Sequence, residues 1–415
     1  MSNRWYKVDN VAKLFIATSN RRDPRMFRVS ATLHEPVQAE LLNAALVPAA
    51  RQFPQFQVTL HRGLFWHYFE STDELPVTVP ETLPPCAPIY GPNRRNELLY
   101  RVTYFGNRIN VEMFHALTDG NGGMLFLKAI LYHYLQLCYP NQLKGAAAPG
   151  GASEADLEQN SYQNFYGNHP RTRKRRTKAY HIWGLRLPYD QLQYFEARMP
   201  VAPVLALARG ASVSLSSYLG ALLMQSIYRE MPALERNKPI TISMPVNLRN
   251  YYPSETARNF FNSVYITQTL TGEETLEQIA AAYDARLKEA LQADNIRAGM
   301  DGYEKLEHMA AIRPVPLFIK NRVVDWFNAL EGKGVTAVLS NMGRIPLEEE
   351  LAPFVEGFSA FCTSDNMFVC VCSYGDELVL GVTSSYRSTS ILKRVVRHLT
   401  EQKVPVTLYA TEVQK

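Results

Sequence analysis

Apolar positions repeat along this chain with two different periods, and the two periods alternate, which predicts a mixed α and β protein. FRVSATLHE, Phe27 to Glu35, alternates as a strand does and runs into PVQAELLNAALVPAARQFP. There Pro36 suits a helix N-terminus, and Leu41, Leu42, Ala45, Leu46 and Ala49 form an apolar stripe at helical spacing. Strand-like runs follow at Phe56–Leu60 and Leu64–Glu70. LLYRVTYFGNRINVEMFH holds two alternating runs joined by Gly106-Asn107, a hairpin signal. GGMLFLKAILYHYLQLCY then predicts a long apolar helix.

LKGAAAPGGASEADLEQ interrupts the pattern with small and polar residues, as an exposed linker or loop does. The basic run HPRTRKRRTKAYH comes next, and a second set of elements begins with a strand expected at Ala179–Leu187. A helix is expected over SVSLSSYLGALLMQSIYREM, capped by Ser212 or Ser214. Strands follow in KPITISMPVNL and at Phe260–Leu270, then helices at Leu276–Leu291 and Phe318–Leu330. The chain closes with strands in VTAVLSNMG, MFVCVCSYG and LVLGVTSS and a helix over TSILKRVVRHLTEQ. No internal repeat is visible. Two halves of similar composition meet near residue 180, so the expected domains are 1–178 and 179–415, a division that suits 415 residues.

Composition narrows the class. Hydrophobic residues at 46% and charged residues at 20% are enough to build substantial cores. No apolar run approaches the ~20 residues that span a bilayer, and the opening MSNRWYKVDNVAKLF lacks the apolar core of a secretory signal. Cys370 and Cys372 alternate along one strand face without zinc-site spacing, so the five cysteines read as reduced thiols of a cytoplasmic protein. A net charge of +5 favours anionic ligands such as phosphates and argues only weakly for nucleic acid. No Walker or Rossmann fingerprint is present.

The chemistry concentrates in EMFHALTDGNGG, Glu112 to Gly123. Ile109, Val111, Met113 and His115 fall on one side of the preceding strand, so the histidine ends its more apolar face. Desolvation there favours the neutral imidazole that a general base requires. Asp119, on a turning backbone, can hold the turn or pair with a distant arginine, while Gly120, Gly122 and Gly123 leave room for a slender ligand. A buried structural histidine beside an ordinary Asp-Gly turn has the same spacing.

HALTDG resembles the H-x-x-x-D-G motif of the chloramphenicol-acetyltransferase-like superfamily, which holds acyl-CoA-dependent acyltransferases and peptide-synthetase condensation domains. The early RQFPQF, the motif itself, SMPVNLRNYYP and VLSNMGRI follow in the order of that family, nearest in flavour to its alcohol O-acetyltransferase branch. The resemblance implies two α/β domains with an active-site tunnel between them. It implies transfer of an acyl group, expected to be acetyl, from a coenzyme A thioester to an alcohol, with no acyl-enzyme, no metal and no permanently bound cofactor. His115 matches the general base, Asp119 the acid that pairs with an arginine of the second domain, here Arg249, and Gly120 the glycine that keeps the tunnel open. Ser340 or Asn341 falls where a donor to the oxyanion is expected. Arg175 and Arg176, in the basic run, are candidates for the 3′-phosphate of coenzyme A, for an acidic acyl carrier protein or for nucleic acid; a solvated connector is the plainer reading.

The family pattern is not kept throughout. Phe114 stands where condensation domains usually carry a second histidine, and RNFFNSVY, Arg258 to Tyr265, stands roughly where plant-type members have D-F-G-W-G. Three further functions therefore stand beside acyl-CoA transfer: a carrier-protein-dependent acyltransferase or condensation enzyme, a non-catalytic binding module of the same fold, and nucleic-acid binding through the basic run, which no nucleic-acid motif supports.

Overall fold

The computed structural model describes residues 4–89, 97–146, 153–165, 167, 178–189, 191–308 and 315–411. Its first half runs β1 (Trp5–Lys7), α1 (Asn10–Thr18), β2 (Met26–Leu33), α2 (Ala39–Arg51), β3 (Val58–Arg62), β4 (His67–Ser71), β5 (Thr78–Pro80), β6 (Tyr100–Phe105), β7 (Arg108–Phe114), α3 (Gly120–Cys138), α4 (Glu154–Glu158) and α5 (Ser161–Asn164). The second half runs β8 (Gln193–Pro200), α6 (Val201–Gly210), α7 (Leu215–Glu230), β9 (Ile240–Asn247), β10 (Phe261–Gln268), α8 (Leu276–Ala290), α9 (Ala293–His308) and α10 (Leu317–Gly332). It ends with β11 (Ala337–Arg344), β12 (Val355–Cys362), β13 (Met367–Tyr374), β14 (Glu377–Ser384), α11 (Ser390–Glu401) and β15 (Thr407–Ala410).

The strands form a five-stranded sheet in the order β12-β2-β7-β6-β5, a seven-stranded sheet in the order β10-β9-β11-β13-β14-β8-β15, and a small sheet β1-β4-β3. Strand β12, late in the chain, pairs antiparallel with β2 and so joins the sheet that carries the histidine motif. Strand β14 approaches β12 closely: a Cβ at Gly381 would lie 1.9 Å from the Ala360 carbonyl oxygen, so only glycine fits there.

Local signals explain the framework of the site. Gly106 takes φ +56° at the β6–β7 hairpin turn, which favours glycine. Asp9 caps α1 by accepting from the Ala12 N–H at 2.7 Å, and Ser214, not Ser212, caps α7 by accepting from Ser217. On the five-stranded sheet, Phe27, Val29, Ile109, Val111 and Met113 are buried in the core that also holds α2 and α3. The opposite face is polar yet equally buried. Register sets Arg28 and Arg101 on either side of Glu112, and Ser30 opposite Asn110. That face meets β8, where Arg198 donates to Thr32 Oγ1 at 3.1 Å and Arg108 pairs with Glu196 at 3.1 Å.

One expected strand is absent. Ala179–Leu187 makes only the isolated bridge Arg186 to Tyr386, and its Trp183 and Leu185 are 81% and 76% exposed. Loop carbonyls of Lys333 and Pro239 accept from Ala179 and Tyr180, so the segment is tied down without a sheet partner. The strand lies instead at β8, followed directly by α6, and α9 and β12 are further elements that the periodicity does not announce.

Candidate active site

His115 stands one residue past β7, where its backbone N–H donates to the Arg25 carbonyl at 2.8 Å. Its ring stacks on Phe15 of α1, with centroids 4.2 Å apart, and touches Phe27 at 5.0 Å and Phe261 at 5.8 Å. Burial among these rings lowers its pKa below the usual histidine value, against the opposing pull of Asp119, its own carbonyl and Asn259. The imidazole is therefore neutral at neutral pH. Nδ1 is buried and makes no hydrogen bond to another described residue, while the residue as a whole keeps partial access to solvent.

Asp119 is the N-cap of α3. Its Oδ1 accepts from the Gly122 N–H at 3.0 Å, and its Oδ2 accepts from Arg249 Nη1 and from the Phe260 N–H, both at 2.8 Å. Both partners of Oδ2 belong to the second half of the chain. Arg249 follows β9, and its guanidinium also donates to the carbonyls of Thr256, Arg258 and Phe260. The structure thus brings Asp119 and Arg249 together as a nearly buried pair. Asp119 spends its oxygens on the backbone and on Arg249, and no hydrogen bond joins it to the His115 ring.

The glycines divide differently from the sequence expectation. A Cβ at Gly120 would meet only Met342, at 3.5 Å from its Cε, an ordinary contact. At Gly122 it would fall 2.1 Å from both the Ala257 carbonyl oxygen and Thr118 Oγ1, and at Gly123 2.6 Å from Phe27. Gly122 and Gly123 are required by packing, whereas Gly120 faces a flexible side chain from β11.

Strand β11 separates its two candidates. Asn341 Nδ2 donates to Ser216 Oγ at 2.7 Å and its Oδ1 accepts from the Gly343 N–H, so this side chain anchors the start of α7. Ser340 alternates to the other side of β11 and makes no side-chain hydrogen bond to the described residues. Arg175 and Arg176 lie outside the described residues.

Several site residues carry no signal in the sequence. Phe15 covers the imidazole from α1. Asn259 Nδ2 donates to the His115 carbonyl at 3.0 Å. Arg258 donates to the Lys7 carbonyl at 2.8 Å and approaches Asp9 at 3.4 Å, which ties α1 to the same segment. The RNFFNSVY stretch, a departure from the family pattern, is the clasp that holds both the histidine and its cover.

No protein-family model and no curated protein matches the sequence. Solved structures match along nearly its whole length. Trichothecene 15-O-acetyltransferase from Fusarium sporotrichioides superposes with TM-score 0.64 at 10% identity, over 96% of this chain and 94% of the other. A Fusarium graminearum protein crystallised with coenzyme A and deoxynivalenol gives 0.63 at 12%, over 97% and 99%. Polyketide synthase associated protein 5 from Mycobacterium tuberculosis gives 0.62 at 13%, over 95% and 96%. Condensation domains also match, among them the first of the CDA synthetase. This chain has the chloramphenicol-acetyltransferase-like fold. The mixed α/β class expected from the sequence is the one found.

Proposed function

We propose that this protein transfers an acyl group from a coenzyme A thioester to an alcohol, with His115 as general base. The observation that carries this reading is a neutral, partly accessible histidine whose neighbouring aspartate is turned away into the Arg249 pair. Such an aspartate sets geometry and leaves the imidazole free to take a proton. Because Nδ1 is buried, Nε2 is the nitrogen that meets the acceptor hydroxyl. As it takes the hydroxyl proton, the oxygen attacks the thioester carbonyl and the C–S bond then breaks. The imidazolium returns its proton to the departing thiolate, so the products are an ester and free coenzyme A. A positioned base contributes roughly 10²–10⁴-fold, and a thiolate leaves readily, so the reaction needs no metal. Ser340, with its side chain uncommitted, is the donor to the oxyanion. Coenzyme A as donor is supported by the Fusarium graminearum structure that contains it.

The test is release of free thiol from acetyl-CoA with pooled alcohols. Release that depends on acceptor supports the reading; none with any alcohol or acyl length contradicts it. The match to a polyketide synthase associated protein favours, as a second reading, an acyl group carried by an acyl carrier protein. That donor would react where acetyl-CoA does not.

A further inference from the structure

The turn between β3 and β4 and the first two turns of α10 form one surface. The Leu317 N–H donates to the Leu64 carbonyl at 2.9 Å, and Lys320 Nζ donates to the Phe65 carbonyl at 3.1 Å. On this surface Leu64 is 70% exposed, Trp66 60%, Phe318 58%, Val323 46% and Ile319 41%. Scattered single apolar residues on a surface need no explanation, but five bulky ones brought together by two elements do.

Within the two segments that carry them the charges have one sign, and the nearby Glu70 of β4 is taken up by His61 at 3.1 Å. Arg62, Lys320 and Arg322 lie within His61–His67 and Val315–Val324, and neither segment contains an aspartate or glutamate. Arg62 and Arg322 are exposed and form no ion pair among the described residues. Lys13 of α1 adds to the same field: after burial itself, Arg62 and then Lys13 help push the pKa of the adjacent His67 down to about 4. Exposed Trp, Phe and aliphatic side chains with cations between them match the boundary of a lipid layer. There the apolar groups enter the acyl edge, the indole rests at headgroup level, and Lys and Arg meet anionic phosphates. An acidic protein partner would rely on ion pairs, yet the exposed apolar side chains here outnumber the cations within the two segments. No described helix is long and apolar enough to cross a membrane, so contact through this face is peripheral.

We propose that this face docks the protein on an anionic lipid surface. Helix α1 packs against α10 and also carries Phe15, so the docked face lies one helix away from His115. The docking does not depend on the acyl-transfer reading.

Sedimentation of the full chain with vesicles of phosphatidylcholine alone, and of phosphatidylcholine mixed with phosphatidylglycerol, tests it. The protein is expected to pellet with the mixed vesicles, less so at high salt. The double variants W66S/F318S and R62Q/R322Q should each lower partitioning by at least about tenfold. W183S/L185S, which removes equally exposed apolar groups elsewhere, should bind as wild type does, and circular dichroism checks that each variant is folded. Absence of binding to the mixed vesicles overturns the proposal, as does wild-type binding by both patch variants. Patch-dependent capture of an acidic carrier protein without vesicle binding overturns it in favour of a protein partner.

Discussion

Two buried carboxylates close together in the sequence, Glu112 and Asp119, are both held by arginine, yet their partners come from different places. Glu112 accepts from Arg28 Nε at 2.8 Å, from Arg101 Nε at 3.0 Å and from the Cys86 N–H at 2.6 Å, all within the first sheet and its adjoining loop. Burial pushes its pKa up, but the two arginines outweigh burial and hold it below the usual carboxylate range. Asp119 takes one partner from its own helix and two from the other half of the chain. Glu112 therefore fixes a sheet, whereas Asp119 fixes how the histidine loop sits against the second half. The same chemistry yields stability at one position and a built site at the other.

The largest expected effects come from breaking each pair. Asp119→Ala leaves the nearly buried Arg249 charge unpaired, whereas Glu112→Ala leaves Arg28 to Glu81 alone and strips Arg101 of its carboxylate; each should cost about 3–5 kcal/mol, read as a shift in the urea midpoint. Turnover separates them. The folded fraction of Glu112→Ala should keep wild-type kcat, and Asp119→Ala should lose it as the His115 loop slips. Equal losses of kcat would erase the distinction. A smaller effect is expected at the glycines beside Asp119. Gly122→Ala forces a Cβ onto two oxygens and should cost about 1–3 kcal/mol, while Gly120→Ala meets only Met342 and should be close to neutral for stability. The smallest effect on stability concerns β11: Asn341→Ala loses its bond to Ser216, about 1 kcal/mol, with little change in kcat, whereas Ser340→Ala should leave stability nearly unchanged and lower kcat by about 10²–10³-fold.

How much of this was legible in the sequence follows from how local each feature is. His115, Asp119 and the helix after them were readable because strand alternation, a cap and a helical stripe follow one another without interruption. Arg249 was named through an ordered resemblance, and the geometry places it against Asp119. Phe15 and Asn259 were not readable, since they reach His115 from far along the chain and belong to no expected element, and the strand expected at Phe260–Leu270 does not by itself show that Phe261 meets the histidine. Strand β12 went unseen for a related reason: it is buried on both faces, so the polar half of the alternation is missing. The expected strand at Ala179–Leu187 shows the converse, an apolar segment whose only sheet-like pairing among the described residues is the single bridge of Arg186 to Tyr386. The tunnel role given to Gly120 came from the motif, whereas the packing constraint falls on Gly122 and Gly123.

The pH dependence of kcat/KM for acceptor-dependent thiol release, measured on wild type and His115→Ala, tests the central claim most directly. A base works only when neutral, and burial lowers the His115 pKa below its ordinary 6.5. Wild-type kcat/KM should thus be flat through neutral pH and fall tenfold per unit only below a pKa lying under 6.5. His115→Ala should be slower by roughly 10²–10⁴-fold and lack that acid limb. An acid limb of the same position and slope in His115→Ala, or turnover close to wild type, would contradict His115 as the base.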